Sequence, residues 1–126
     1  VRQGATTIWE HWDGIRPDGS FWSADMNSYN HYAYGSIVDW MYTVLAGINY
    51  EEEEPGYKKI RFAPLVCDEF SFVEASIQTP YGKAALRWEK KKGGISYQIS
   101  IPANTTATFV YPDGKSVFFG SGTYCL

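Results

Sequence analysis

The chain has 126 residues, of which 44% are hydrophobic and 20% are charged, and its formal net charge is −3. This length allows one ordinary domain, or one small domain and part of another. The negative charge argues against nucleic acid as a partner, because phosphate binding needs a basic face. No apolar run reaches the roughly 18 residues that a membrane-spanning helix requires, so we expect no membrane partner.

The distribution of charge divides the chain into two parts. Residues 1–54 contain two Lys/Arg and nine Asp/Glu, whereas residues 55–126 contain nine and five. We therefore expect one domain in 1–54 and a second in 55–126. Because the chain begins with Val1 in what reads as structured sequence, we expect a piece of a longer polypeptide. No signal segment is visible, which slightly favours the cytoplasm and leaves the compartment open.

Helical periodicity dominates the first part. Residues 26–48 carry bulky apolar side chains at steps of three and four, which predicts a helix that Gly47 ends. The stretch TTIWEHW, residues 6–12, predicts a shorter helical or turn segment, and Pro-Asp-Gly at 17–19 predicts a loop between the two. A helical hairpin of about 50 residues cannot bury its aromatic faces alone, so it must pack on the second part or on a larger helical body.

Alternating patterns replace helical ones after residue 55. Six short segments of this kind are separated by turn signals such as TPYG, KKKGG and YPDG. Regularly spaced short strands predict an antiparallel β-sandwich, which makes the fold class mixed α and β. The six segments are KKIRFAP (58–64), FSFVEASIQT (70–79), GKAALRWEKK (82–91), GISYQISI (94–101), TTATFVY (105–111) and KSVFFG (115–120).

Cysteine usage and charge runs do not indicate a metal or a cofactor. Cys67 and Cys125 either form a disulfide or remain two thiols in a reducing compartment, and the second reading is favoured because two cysteines make no framework. The acidic run at 51–54 is interpreted as a solvated linker, since consecutive carboxylates diverge around the backbone. We found no zinc spacing and no phosphate loop.

The stretch GATTIWEHWDG, residues 4–14, places a carboxylate among aromatic side chains. Glu10 is either a solvated carboxylate in a first helical turn or a member of a sugar site, which would use both the charge and the rings. The C–H face of a sugar stacks on an aromatic ring, so Trp9, Trp12 and Trp22 are candidate walls of such a site.

The order of the segments resembles the C-terminal end of bacterial α-L-rhamnosidases of glycoside hydrolase family 78. The resemblance covers nearly the whole chain and implies terminal helices of an (α/α)6 catalytic barrel followed by a C-terminal β-sandwich. It is carried by GATTIWEHWDG, MNSYNHYAYGSIVDWMYTVLAGI, PGYKKIRFAP, ASIQTPYGKAALRWE, IPANTTATFVYPDG and GSGTY, in that order.

The resemblance also implies an activity, the hydrolysis of terminal α-L-rhamnosides with inversion. The glutamate of the TTIWE motif is the family's general base, and Glu10 occupies that position. The histidine of the NHYA segment contacts the sugar, and His31 matches it. Trp12 and Trp22 are added as substrate-binding walls from the residue chemistry alone. The general acid lies upstream of this chain in the family, so we expect the chain by itself to be inactive.

Two other functions stay open. The sandwich is either a scaffold or a carbohydrate-binding module, with rings such as Trp88, Tyr97 and Phe118 as candidates for a binding face. Alternatively, the chain belongs to an (α/α)6 glycosidase that acts on a different sugar. The expected partners are a rhamnose-containing glycoside and the missing N-terminal part of the same polypeptide. Exposed aromatic surface predicts that the isolated chain self-associates.

Overall fold

A computed structural model describes residues 2–126. The chain divides into two compact units, residues 1–39 and residues 40–126, and the helical stretch crosses the division. We describe each unit separately.

The first unit consists mainly of turns and irregular backbone. An isolated β-bridge between Ile15 and Phe21 closes the loop that the Pro-Asp-Gly sequence predicted. Within this loop the Arg16 N–H donates to the Ser20 carbonyl oxygen at 2.8 Å. Gly14 is the only buried residue among residues 2–39. Backbone hydrogen bonds, more than apolar burial, therefore define the conformation of this unit.

The helical stretch is shorter than the periodicity predicts. It comprises a 3-10 segment, Tyr32–Ser36, one α-helical turn, Ile37–Trp40 (α1), and a π-helical turn, Met41–Leu45. The expectation of a helix beginning at residue 26 is wrong, and residues 6–12 form bends and turns rather than a helix. The structure therefore has no helical hairpin, and the terminal helices of an (α/α)6 barrel are not present in residues 2–126.

Long-range backbone hydrogen bonds explain why residues 6–12 and the residues after 26 do not form the expected helices. The His31 N–H donates to the Ile8 carbonyl oxygen at 2.8 Å, and the Glu10 N–H donates to the Ser28 carbonyl oxygen at 2.9 Å. An α-helix would need these groups for bonds four residues apart. Because the two segments bond to each other, neither continues as a helix.

The helical stretch exposes most of its apolar side chains. Trp40, expected in the core, is 41% exposed, and Tyr32, Ile37 and Val38 are exposed as well. A helix that is apolar on all sides needs partners all around it. Residues 2–126 contain no second helix, so the prediction of a buried Trp40 is wrong for this chain.

Gly47 ends the helical region, as predicted. Its φ is +68°, and a Cβ atom on it would lie 2.2 Å from the Ala63 carbonyl carbon. The Ala63 N–H donates to the Gly47 carbonyl oxygen at 2.8 Å. Only glycine combines this conformation with so close a backbone approach, and the first strand begins at the next residue.

The second unit is a sandwich of two four-stranded sheets. One sheet has the order β1-β2-β6-β7 and the other the order β3-β4-β5-β8. The strands are β1 (Ile48–Tyr50), β2 (Lys59–Phe62), β3 (Phe72–Thr79), β4 (Gly82–Lys91), β5 (Gly94–Ile101), β6 (Thr106–Val110), β7 (Ser116–Phe119) and β8 (Gly122–Cys125).

The sandwich confirms six predicted strands and differs from the prediction in two respects. Each alternating segment contains one of the strands β2 to β7, whereas β1 and β8 were not expected as strands. All strand pairs are antiparallel except β2 and β6, which run parallel. The expectation of a purely antiparallel sandwich is therefore wrong at this pair. Strand β1 precedes residue 55 and pairs with β2.

The core lies between the two sheets, where alternate residues of the strands meet. Its largest member is Trp88 on β4, which is fully buried, as predicted. The rings of Tyr97 and Phe109 pack edge to face at 5.0 Å between centroids, and burial raises the pKa of the Tyr97 phenol. Other fully buried side chains include Ile48, Ile60, Phe62, Leu86 and Ile99.

The loops of this unit agree with the sequence signals. Lys91 pairs with Gly94, so that Lys92 and Gly93 form a charged two-residue hairpin turn. In the acidic run, Glu54 pairs with Lys59 at 2.7 Å. Cys67 is half-buried and Cys125 is exposed, and both are free thiols.

Candidate functional site

The candidate site residues lie on two segments of the first unit that bond to each other. The segments are residues 8–10 and residues 28–31, and the two backbone hydrogen bonds between them involve Glu10 and His31 themselves. Twenty residues, 11 to 30, separate Glu10 from His31 along the sequence. The fold therefore brings the predicted base and the predicted sugar contact onto neighbouring stretches of backbone.

Glu10 and His31 are both half-buried. The Nδ1 atom of His31 lies 3.1 Å from the Ser28 Oγ atom, which is hydrogen-bond distance. The His31 ring also packs at 4.8 Å from the Tyr34 ring, at an angle of 46°. Both side chains therefore keep partial access to a ligand, and the contacts with Ser28 and Tyr34 restrict the His31 ring.

The two candidate tryptophans differ in how they are held. Trp22 is 42% exposed, and its ring stacks on His11 at 3.8 Å between centroids and an angle of 20°. The backbone N–H of Trp22 donates to the Gly14 carbonyl oxygen at 3.0 Å. Trp12 is 100% exposed, and its ring makes no aromatic pair among the described residues. Trp22 therefore has a fixed ring, whereas the Trp12 ring has no such support.

Gly14 and Tyr29 pack against each other and against Trp9, next to the candidate residues. The Tyr29 hydroxyl donates to the Gly14 carbonyl oxygen at 3.1 Å, and the Tyr29 ring packs edge to face on Trp9 at 5.3 Å. A Cβ atom at Gly14 would meet the Tyr29 ring at 3.1 Å and the Trp9 ring at 3.4 Å. The absence of a side chain at residue 14 therefore permits this packing.

A cavity of about 420 Å³ lies in the first unit. Its lining includes Trp12 and does not include Glu10, Trp22 or His31, so this cavity does not unite the four predicted site residues. Its described lining residues are Arg2, Gln3, Ala5, Thr7, Trp9 and Trp12.

Charge and metal-binding groups in the unit are limited. The Asp18 carboxyl has a lowered pKa because it accepts hydrogen bonds from the Ser20 hydroxyl and the Ser20 N–H. Within residues 2–126, no group of three or more His, Cys, Asp and Glu side chains is arranged to hold a metal ion. The same residues form no helix long and apolar enough to cross a membrane.

Sequence reasoning missed Ser28 as a site residue. Ser28 lies near the start of the predicted helix, where serine is common as an N-cap, so the pattern gave no sign of a site residue. In the structure its carbonyl oxygen binds the Glu10 N–H, and its hydroxyl contacts His31. The sequence signal was a hydroxyl three residues before the histidine, which becomes informative once the backbone there is known to be non-helical.

Two family models match consecutive parts of the chain. The bacterial α-L-rhamnosidase C-terminal domain matches residues 47–123. The six-hairpin glycosidase domain of bacterial α-L-rhamnosidases matches residues 1–45. Together they cover nearly all of the chain.

Two curated α-L-rhamnosidases are similar to this chain over most of its length. The chain is 40% identical to an α-L-rhamnosidase of Streptomyces avermitilis over 112 residues, which are 89% of this chain and 11% of that protein. It is 40% identical to an α-L-rhamnosidase of Formosa agariphila over 116 residues, 92% of this chain and 12% of that protein. The chain thus spans about a tenth of the length of these curated relatives.

Solved structures of α-L-rhamnosidases superpose closely on this chain. The native α-L-rhamnosidase of Aspergillus terreus matches all of this chain over 15% of its own, with a TM-score of 0.87 and 34% identity. The Streptomyces avermitilis α-L-rhamnosidase, solved with L-rhamnose, matches 98% of this chain over 14% of its own, with a TM-score of 0.83 and 34% identity. The chain belongs to the bacterial α-L-rhamnosidase family and corresponds to its C-terminal part.

Proposed function

We propose that this chain completes the active site of an α-L-rhamnosidase, with Glu10 as the general base. The observation that carries the proposal is the hydrogen-bonded pairing of residues 8–10 with residues 28–31. The pairing holds a carboxylate and an imidazole on adjacent, half-buried stretches of backbone. The family membership supplies the substrate class, a terminal α-L-rhamnoside.

An inverting mechanism assigns each group one task. The Glu10 carboxylate takes a proton from the water molecule that attacks the anomeric carbon, and a separate carboxylic acid protonates the departing oxygen. In inverting enzymes the two carboxyl groups lie about 6.5–9.5 Å apart, which leaves room for the water. The proposal places the acid on the part of the polypeptide outside this chain, together with the remaining substrate-binding carboxylates.

The other predicted residues take supporting roles. His31 hydrogen-bonds a hydroxyl group of the sugar, because imidazole has one donor and one acceptor nitrogen when neutral. Trp22, whose ring is fixed on His11, and the exposed Trp12 provide apolar faces for the substrate. We propose that residues 1–54 belong functionally to the catalytic part and residues 55–126 to the sandwich.

The sandwich serves as a scaffold under this proposal. A carbohydrate-binding face would need several rings in one solvent-facing plane. Trp88 and Tyr97, two of the candidate rings, are buried between the sheets. Phe72 and Phe118 are exposed but lie on strands of different sheets. The burial pattern therefore favours a scaffold over a binding module.

The decisive experiment replaces Glu10 in the full-length polypeptide that contains this chain. We expect Glu10→Gln to lower kcat on an aryl α-L-rhamnoside by about 10²- to 10⁴-fold, the usual contribution of general acid–base catalysis, with little change in KM. Proton NMR of the first released rhamnose should show the anomer opposite to that of the substrate. Glu52→Gln, at an exposed position of the acidic run, is the matched control.

Two results would contradict the proposal. The first is a kcat of Glu10→Gln within twofold of the parent value. The second concerns the isolated 126-residue chain, which we expect not to hydrolyse the substrate because it lacks the acid. A measurable rate of the isolated chain that Glu10→Gln abolishes would show that the chain contains both groups.

A further inference from the structure

Ser28 contacts both residues to which the proposed mechanism assigns chemistry. Its carbonyl oxygen accepts a hydrogen bond from the Glu10 N–H at 2.9 Å. Its Oγ atom lies 3.1 Å from Nδ1 of His31. Ser28 is half-buried, as are Glu10 and His31. One residue therefore restrains the backbone that carries the base and the ring that contacts the sugar.

The contact at Nδ1 limits what the His31 ring can do. In a neutral imidazole one nitrogen donates and the other accepts, and a serine hydroxyl can complement either. Because Ser28 occupies Nδ1, Nε2 is the polar atom left for a ligand. A half-turn of the ring would exchange its edges and break the contact with Ser28. The hydroxyl therefore fixes both the ring orientation and the atom available to the substrate.

We propose that Ser28 is a positioning residue, which holds the His31 ring so that Nε2 hydrogen-bonds a hydroxyl group of the rhamnoside. This inference rests on the proposed function and extends it to one further residue and one ring atom. Ser28 acts through His31 and does not itself touch the substrate. Its hydroxyl supplies the polar restraint, while the Tyr34 ring packs beside the imidazole.

The first test compares two substitutions of Ser28 in the full-length polypeptide. We expect Ser28→Ala to lower kcat/KM by about 3- to 10-fold, the value of one hydrogen bond, with most of the change in KM. Ser28→Thr keeps the hydroxyl and should retain most of the activity. Ser36→Ala is the control, because the Ser36 hydroxyl donates only to the Ala33 carbonyl oxygen. If Ser28→Ala leaves kcat/KM unchanged, the inference is wrong.

A double-mutant cycle separates positioning from general structural support. If Ser28 acts through His31, adding Ser28→Ala to His31→Ala should lower kcat/KM by less than about twofold further, because the coupled group is already gone. A structural role would give the same additional loss in both backgrounds. Additive losses would therefore overturn the inference even where Ser28→Ala alone is damaging.

The assignment to Nε2 has its own test. A glutamine amide nitrogen reaches near the position of Nε2, whereas an asparagine amide nitrogen reaches near that of Nδ1. We expect His31→Gln to keep a lower KM than His31→Asn. The reverse order would overturn the assignment of the sugar contact to Nε2.

The outcomes distinguish this inference from the proposed function. A normal kcat in Glu10→Gln refutes the proposed base whatever Ser28 does. Large losses in Glu10→Gln and His31→Ala, combined with normal kinetics in Ser28→Ala, refute the role of Ser28 and leave the proposed function standing.

Discussion

Residues 2–39 and residues 40–126 differ in what holds them together. Every buried hydrophobic side chain described for the chain lies in residues 40–126, and all of them except Leu45 belong to one core cluster. Residues 2–39 bury only Gly14, yet they carry Glu10, Trp12, Trp22 and His31. The first region thus carries all the proposed chemistry, and the second carries the apolar core.

Stability and the proposed function depend on different regions of this chain. Apolar burial is the main favourable term in folding, so stability should depend mainly on residues 40–126. The candidate site is instead shaped by a few hydrogen bonds, among them the two that link residues 8–10 to residues 28–31. Substitutions in the two regions should therefore affect different properties.

The largest expected effect comes from the core. Trp88→Ala should lower the free energy of unfolding of the chain by about 3–5 kcal/mol, because it removes a large buried side chain and leaves a cavity. Within residues 2–126 the Trp88 Nε1 atom has no hydrogen-bond partner, so the expected loss is one of packing. Urea unfolding followed by far-UV circular dichroism measures the change.

Trp12→Ala provides the control from the other region. Trp12 is fully exposed, so this substitution should change the free energy of unfolding by no more than about 0.5 kcal/mol. Equal losses of unfolding free energy from the two tryptophan substitutions would contradict this difference between the regions, since they would place residue 12 in a core that contributes to stability.

The second prediction concerns exposed apolar surface. We expect the isolated chain to self-associate, because Trp12, Phe21, Ile37 and Val38 leave apolar area in water. Ile37→Lys should weaken association about tenfold or more, since burying such a side chain contributes about 1.5–3 kcal/mol. Light scattering over a range of protein concentrations measures the mass of the species.

Phe118→Lys is the matched variant in the sandwich. Phe118 lies on β7 and is as accessible to solvent as the apolar residues of the first region. A monomeric parent chain would refute the prediction. A larger effect of Phe118→Lys than of Ile37→Lys would show that the self-association surface lies on the sandwich and not on the first region.

The smallest expected effect is a dependence of stability on pH. The Glu89 carboxyl has a lowered pKa because it accepts hydrogen bonds from Lys91 and Arg87, and Lys115 lowers the pKa of Asp113 in the same way. A carboxyl whose pKa is lower in the folded state stabilises the fold above its unfolded pKa, and that contribution is lost as the pH falls through the folded pKa.

The ordinary pKa of a glutamate carboxyl such as that of Glu89 is 4.5, and that of an aspartate carboxyl such as that of Asp113 is 3.8. We therefore expect the urea midpoint to decrease modestly between pH 6 and pH 3, and to decrease less in Glu89→Gln. Asp18, whose pKa the Ser20 hydroxyl lowers, belongs to the other region. If Asp18→Asn flattens the pH dependence of the sheet signal as much as Glu89→Gln does, the two regions do not contribute separately to stability.

The sandwich was largely predictable because its signals are local. Alternation marked β2 to β7, and short turns such as Lys92-Gly93 set the hairpin register. Strand β1 was missed because it has only three residues and directly follows a helical pattern. The parallel pairing of β2 with β6 was missed because its partners, such as Lys59 and Thr106, lie 47 residues apart, which no local pattern encodes.

The members of the candidate site were proposed from the sequence, whereas the arrangement of their backbone was not. The positions of Glu10 and His31 in the motifs came from the resemblance, and the carboxylate among tryptophans was evident from the residues themselves. Apolar spacing over residues 26–48 indicated a helix, but the backbone of Ser28 and His31 bonds to Glu10 and Ile8 instead. Periodicity reports only side-chain patterns, so it cannot detect such competition for backbone groups.

The family, the succession of an N-terminal segment and a sandwich, most of the strands, and the residue types proposed for the candidate site could all be inferred from the sequence alone. Only the tertiary structure decided where the helix begins, which strands are neighbours, and that Ser28 links Glu10 to His31. The reason is that alternation, turns and motifs are properties of neighbouring residues. Hydrogen bonds between distant segments form only when the whole chain brings their backbone groups together.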